Sequence, residues 1–182
     1  INAVAMALYE RGEFADPYAI PTGPTAHMPP FLPALMAGLY HLLGPTLAAG
    51  YVTWLVVIAS YGAMYAMLPW LGARLGLGAG AGLAAGLAGA VIPRWPGSVE
   101  GFAGVAIGLM LVEFLRRWEE GPTAPGRSFA FGLAIGLSFL VSPSLLPVPL
   151  GLLAVEVGRP GGRRRWRPAA AVLLGTTLAC VP

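Results

Sequence analysis

The chain has 182 residues, 57% of them hydrophobic and only 10% charged, with a mean hydropathy of +0.72. Soluble domains carry roughly 25% charged residues, so this composition excludes an ordinary water-facing globule and makes the bilayer the expected solvent. The formal charge of +3 comes from eleven arginines and no lysine against eight acids, and the arginines fall in short gaps between apolar runs. That is the pattern of membrane-protein loops and not of a nucleic-acid surface.

Cys180 is the single cysteine, which excludes an internal disulfide and a cysteine-based zinc site. The chain begins at Ile1 without a signal-peptide pattern and ends at Pro182 inside an apolar run, so it is expected to be a fragment cut at both ends.

Ile1, Val4, Ala5 and Leu8 recur at helical spacing, and Gly12 closes the run. This predicts a short amphipathic helix lying on a membrane surface. An acid-rich segment, Glu10 to Asp16, follows, and then the rigid, proline-framed polar loop from Thr22 to Pro30. Pro29 and Pro30 open a second short helix through Leu32, Leu35, Met36, Leu39 and Leu43, which stops at Gly44-Pro45. It is too short to cross a membrane, which takes about 20 residues, and is predicted to be a second interfacial helix.

Residues 47–70 read as the first span, with Trp54 and Trp70 as interface anchors and Arg74 just beyond. Residues 75–92 read as the second, built on Gly78, Gly82 and Gly86, a spacing that lets helices approach closely in lipid. The same glycines do not make a phosphate loop, because no lysine and no strand accompany them. A polar hairpin over 93–100 leads to a third span at 99–115, followed by a loop holding Arg116, Arg117, Glu119, Glu120 and Arg127.

Residues 129–157 would make one helix of roughly 43 Å, longer than a hydrocarbon core of about 30 Å. Pro143, Pro147 and Pro149 interrupt its middle. The arginine-rich loops on either side, 116–127 and 159–167, both favour the cytoplasm, so an even number of passes should separate them. A helical hairpin turning at the prolines satisfies this; one kinked span is the rival. A further span begins near residue 168 and runs to 182. Counting from cytoplasmic Arg116 puts Arg74 inside, and Arg94, Glu100 and residues 1–30 outside. The fold class predicted is therefore an all-α polytopic transmembrane bundle, residues 47–182, preceded by an outer-face loop with two juxtamembrane helices, residues 1–46.

A chain this apolar has few places for chemistry in water. Asp16 could accept a proton from an acceptor hydroxyl, or cap the turn at Pro17-Tyr18. Glu10 and Glu13 read as a solvated helix end. His27 could bind phosphate, a metal or an acceptor, or anchor the proline-rich loop. Glu13, Asp16 and His27 together could hold a metal, although no ligand spacing demands one. Glu100 is an acid at a membrane boundary, costly unless paired or useful, and Arg94 has the fork that matches phosphate oxygens. A mutual surface pair is the plainer role for these two. Glu113 with Arg116 and Arg117 one turn on reads as an interface ion pair, and Trp166 amid Arg163–Arg167 as an anchor near anionic lipid.

One set of motifs is more specific. Gly12-Glu13-Phe14, Asp16-Pro17-Tyr18, Thr22 to His27, Pro29-Pro30 and Leu43-Gly44 together resemble the first outer loop of GT-C-type integral membrane glycosyltransferases. The similarity is to the bacterial relatives of protein O-mannosyltransferases and of the lipid A aminoarabinose transferase. It covers about the first 45 residues, and Gly132 to Leu140 resembles a glycine-leucine span of the same enzymes.

The resemblance implies transfer of a sugar from a polyprenyl-phosphate lipid to a lipid, glycan or protein acceptor on the non-cytoplasmic face of a bacterial inner membrane. It implies no nucleic-acid partner. Asp16 and Glu100 become the catalytic candidates, and His27, Arg94, Thr25 and Tyr18 the candidates for substrate or phosphate binding. A divalent metal ion is compatible but unspecified. The family's leading acidic motif lies just ahead of the position of Ile1, so the principal catalytic Asp is expected outside this chain. A transporter or flippase, or a non-catalytic assembly subunit, is the alternative.

Overall fold

The computed structural model describes residues 1–18, 20–25, 28–92, 99–120, 124–158 and 166–180. These residues form eight α-helices and one short 3-10 turn, with one isolated β-bridge and no strand among them. The helices are α1 (Asn2–Arg11), α2 (Phe31–Leu43), α3 (Leu47–Arg74), α4 (Ala79–Val91), α5 (Glu100–Glu120), α6 (Pro125–Val141), α7 (Pro147–Gly158) and α8 (Trp166–Cys180). The 3-10 turn, Pro143–Leu145, separates α6 from α7.

The chain is all-helical, but several boundaries differ from those expected. The helix at 47–70 continues through Pro69 to Arg74, giving 28 residues and a rise of about 42 Å. Thr46 starts it, its hydroxyl oxygen accepting the Ala49 N–H at 3.5 Å. Among the described residues this is the one helix long and apolar enough to cross a membrane. α4 is shorter than 75–92, because Gly76 and Gly78 take positive φ and delay its start. Its 13 residues rise about 20 Å. α5 runs past 115 to Glu120, so Arg116, Arg117 and Glu119 belong to its last turns and not to a loop. Arg127 lies in the first turn of α6. The polar hairpin at 93–98 and the arginine run at 159–165 lie outside the described residues.

Glycines set how the helices meet. A Cβ added at Gly82 would lie 2.1 Å from the Leu68 carbonyl oxygen, and one at Gly86 3.1 Å from that of Tyr65. Pro69 has no N–H to offer the Tyr65 carbonyl, and α4 lies against that segment through its glycine face. The pairing of rising numbers with falling ones makes α3 and α4 antiparallel. Gly78 meets nothing within 4 Å; it serves the turn, not the packing.

Gly101, Gly104 and Gly108 set α5 against Ser60, Met64 and Met67, so α3 and α5 run parallel. Gly132 and Gly136 pack on Val172 and Thr176, and the Thr176 hydroxyl donates to the Gly132 carbonyl at 3.1 Å. α6 and α8 are therefore parallel too. The chain must reverse between them, and α7 carries it back, with Leu152 and Leu153 packed against the cluster of Met110, Ile135 and Val172.

The first helix buries its apolar face within the chain. The Val4–Ala5 face of α1, expected to rest on lipid, is fully buried against protein. With Tyr40 of α2 and Ala49 of α3 it forms a small core, flanked by Met6, Tyr9, Met36 and Leu39. The Tyr40 hydroxyl donates to Asn2 across this contact. An apolar stripe reports that burial is needed; it does not report whether lipid or protein supplies it. α3 does the opposite: Tyr51, Trp54, Leu55 and Ile58 are each more than half exposed, a lipid-compatible flank.

Replacing Gly132 by leucine should separate α6 from α8, because a Cβ there would lie 2.0 Å from the Val172 carbonyl oxygen. Overpacking costs about 1–3 kcal/mol or more. Thermal or denaturant unfolding in detergent should register the loss. Gly126→Ala, where a Cβ meets nothing within 4 Å, should leave stability unchanged or slightly raised.

Candidate functional site

The helix directions give the bundle two chemically different ends. One carries the start of α3, the start of α5 and the end of α6. The other carries Arg74, Arg116, Arg117, Arg127 and Arg167, with Glu113 and Glu119. The polar loop between α1 and α2 belongs to the first end, where Phe31 meets Phe102 edge-on with ring centroids 4.9 Å apart.

The loop is built around Asp16. α1 stops at Gly12, which takes φ 69 and returns its N–H to the Leu8 carbonyl. The chain then folds back on itself: Asp16 N donates to the Gly23 carbonyl at 3.1 Å, and Thr25 N to the Phe14 carbonyl at 3.0 Å. Asp16 has φ 55, a left-handed conformation that Asp tolerates better than most side chains. Its Oδ1 accepts the backbone N–H groups of Thr22 at 2.9 Å and Gly23 at 3.0 Å. Its Oδ2 pairs with the Arg11 guanidinium. The Gly23 and Thr22 amides, then Arg11, hold the Asp16 carboxyl below its ordinary pKa.

This geometry suits an anchor better than a base. Both carboxylate oxygens are engaged, and a lowered pKa makes a poor proton acceptor. Asp16 fixes the loop that Thr25 and Tyr18 belong to. Tyr18 is 63% exposed, and the Thr25 backbone takes part in the loop closure. Against α1 the loop leaves an open groove of about 470 Å³, whose polar lining is Asn2, Glu10, Arg11 and Asp16.

Glu100 begins α5, where a carboxylate favours the positive end of the helix dipole. The Tyr61 hydroxyl donates to its Oε2 at 3.2 Å. Its position is set by the next residue, since a Cβ at Gly101 would lie 2.3 Å from Ser60 Oγ. Two residues further on is Phe102, the partner of Phe31. Between α2, α5 and α6 runs an open apolar groove of about 490 Å³, whose one hydroxyl is that of Ser138.

His27 and Arg94 lie outside the described residues. No group of three or more His, Cys, Asp or Glu among the described residues could hold a metal. Glu13 and Asp16 both face Arg11, Glu13 at 3.6 Å from its Nε. Three relevant residues escaped the sequence reading. Arg11 organises Asp16, and its signal was an opposite charge five residues away across a helix end. Tyr61 holds Glu100 from a helix 39 residues distant, which no local pattern reveals. His41, at the end of α2, packs on Tyr9 with ring centroids 4.9 Å apart. Comparison with family models, curated proteins and solved structures finds no match for the chain.

Because folding lowers the Asp16 pKa, its contribution to loop order is present at neutral pH. It is lost as pH falls below the ordinary aspartate value of about 3.9 and through the lowered one. Protection of the Thr22 and Gly23 amides against hydrogen exchange, taken relative to the intrinsic rate at each pH, should fall over that range. At pH 7, Asp16→Ala should lower the same protection several-fold and remove its dependence on acid.

Proposed function

We propose that this chain is part of a membrane-embedded glycosyltransferase that moves a sugar from a polyprenyl-phosphate carrier to an acceptor at the non-cytoplasmic surface. The motif similarity of the first 45 residues is one support. The observation that carries the reading is the Phe31–Phe102 contact, which joins the polar loop region to the turn of α5 that bears Glu100. A loop with a polar groove, an acid at a helix start and an apolar groove beside them would suit a substrate with a charged head and a hydrocarbon tail.

The acceptor oxygen would attack the sugar's anomeric carbon as the polyprenyl phosphate leaves, inverting that centre. Glu100, exposed and held by Tyr61, is the better candidate to receive the acceptor's proton or orient it. Asp16 and Arg11 would shape the loop from behind. His27 and Arg94 are proposed to meet the departing phosphate, where positive charge stabilises the developing anion. The arginine-rich opposite end supports the non-cytoplasmic orientation under the positive-inside rule. A transporter reading has no observation of its own: α3 carries no charged side chain before Arg74.

In the intact protein, Glu100→Gln should lower transfer from a polyprenyl-phosphate sugar by about 10²-fold or more, as loss of a general base does. Arg94→Ala and His27→Ala should weaken use of the donor. Unchanged transfer in all three variants would remove this end of the bundle from the reaction.

A further inference from the structure

Helix register across the bundle fixes how deep Glu100 lies. Gly101 packs on Ser60 and Tyr61, Gly104 on Met64 and Gly108 on Met67, so the start of α5 is level with the middle of α3. The Tyr61 hydroxyl reaches Glu100 at the same level. α4 agrees from its own contacts. Gly82 lies on Leu68 and Gly86 on Tyr65, which brings the last residue of α4, Val91, level with Ser60. Phe31 of α2, packed on Phe102, marks that level again.

α3 continues well past it. Trp54 lies about 10 Å beyond Tyr61 along the axis, and Leu47 about 21 Å. In the other direction Arg74 lies 20 residues from Trp54, a rise of about 30 Å, which matches the thickness of a hydrocarbon core. The neighbouring helices are shorter. On α5 the uncharged stretch from Glu100 to Glu113 rises about 20 Å, and on α6 that from Arg127 to Val141 about 21 Å. Arg127 pairs with Glu113, and Glu119 of α5 pairs with Arg74, so the three helices are level at the arginine end. The shortfall of about 10 Å therefore falls at the Glu100 end.

The side chains of α3 beyond Glu100 show what surrounds it there. Trp54, Leu55 and Ile58 occupy the interval between the two levels, and each is more than half exposed. At helical spacing they are turned away from the Ser60–Met64–Met67 face that meets α5. One flank of α3 is thus fitted to hydrocarbon at a depth where α4 has ended and α5 begins with a carboxylate. A charged group beneath the hydrocarbon boundary is unfavourable unless it faces water or a partner, and a helix shorter than the bilayer is accommodated by local thinning. We propose that the bilayer is thinned on the α4–α5–α6 side of α3, so that water and lipid headgroups descend about 10 Å to Glu100 while hydrocarbon still covers α3 up to Trp54. The partner of this surface is the lipid itself, whose phosphates are brought to the level of Glu100 and Phe31. The inference rests on the membrane-embedded part of the proposed function and not on sugar transfer.

The full chain carrying Cys180→Ser should be placed in phosphatidylcholine nanodiscs, which leave both membrane faces open to reagent. Glu10→Cys, Ile58→Cys and Glu100→Cys should each be treated with a charged, membrane-impermeant methanethiosulfonate. Glu100→Cys should react within about tenfold of the rate of Glu10→Cys and about 10²-fold faster than Ile58→Cys, because a thiol in apolar surroundings ionises poorly. If Glu100→Cys fails to fold, Val99→Cys keeps the carboxylate and gives the same reading. Nitroxides attached at these cysteines should collide chiefly with a nickel chelate at position 100 and chiefly with oxygen at position 58. Slow labelling and oxygen-dominated collisions at both positions would overturn the inference and leave the membrane-embedded reading standing. Water-like behaviour at position 58 would overturn embedding at this depth, and the inference with it. Transfer activity is not read, so the fate of the glycosyl-transfer reading does not alter either outcome.

Discussion

The close approach of helix backbones at glycine underlies the rest of this structure. α4 on α3, α5 on α3 and α8 on α6 all meet where a Cβ would fall within 3 Å of the neighbouring helix. Close backbone approach raises the contact area between helices and with it their dispersion attraction. The large apolar side chains are accordingly displaced outward: Leu55, Ile58, Leu83, Leu87 and Leu174 are all more than half exposed. The glycines also set helix direction and depth, and through Gly101 they fix where Glu100 begins its helix.

Those contacts sort the charges. Among the described residues, the arginines of α3, α5, α6 and α8 gather at one end, and Glu100 and the folded loop stand at the other. The two ends solve the problem of holding charge next to hydrocarbon in different ways. At the loop end, a carboxylate is surrounded by backbone amides and one arginine, so its charge is satisfied locally. At the arginine end, Glu113 meets Arg116 and Arg117 of its own helix and Arg127 of α6. The first arrangement makes a fixed loop; the second ties α5 to α6.

The loop illustrates how a residue of catalytic type can serve structure. Asp16 has the chemistry of a base and sits in a polar loop of the expected composition, yet its oxygens are taken by Thr22, Gly23 and Arg11. A carboxylate stabilised this well as an anion has little drive to take a proton. Glu100 stands exposed at the start of α5, with the Tyr61 hydroxyl donating to it.

Composition and periodicity by themselves determined the helical class, the existence of the two short helices before residue 46, the long apolar helix from Leu47, and the break at Pro143. Each depends on local chemistry: helical spacing, the missing N–H of proline, and the run of uncharged residues in α3. Helix ends were less legible, since Arg116 and Arg117 look like loop residues until Glu113 and Phe131 engage them from within and across helices. Only the tertiary structure decided which apolar faces are buried in protein, as at Val4 and Ala5, and which are left exposed, as at Trp54 and Ile58. It alone paired Tyr61 with Glu100 and Arg127 with Glu113. The physical reason is that hydropathy records the need to leave water, whereas the partner that meets this need is chosen by contacts between segments far apart in the chain.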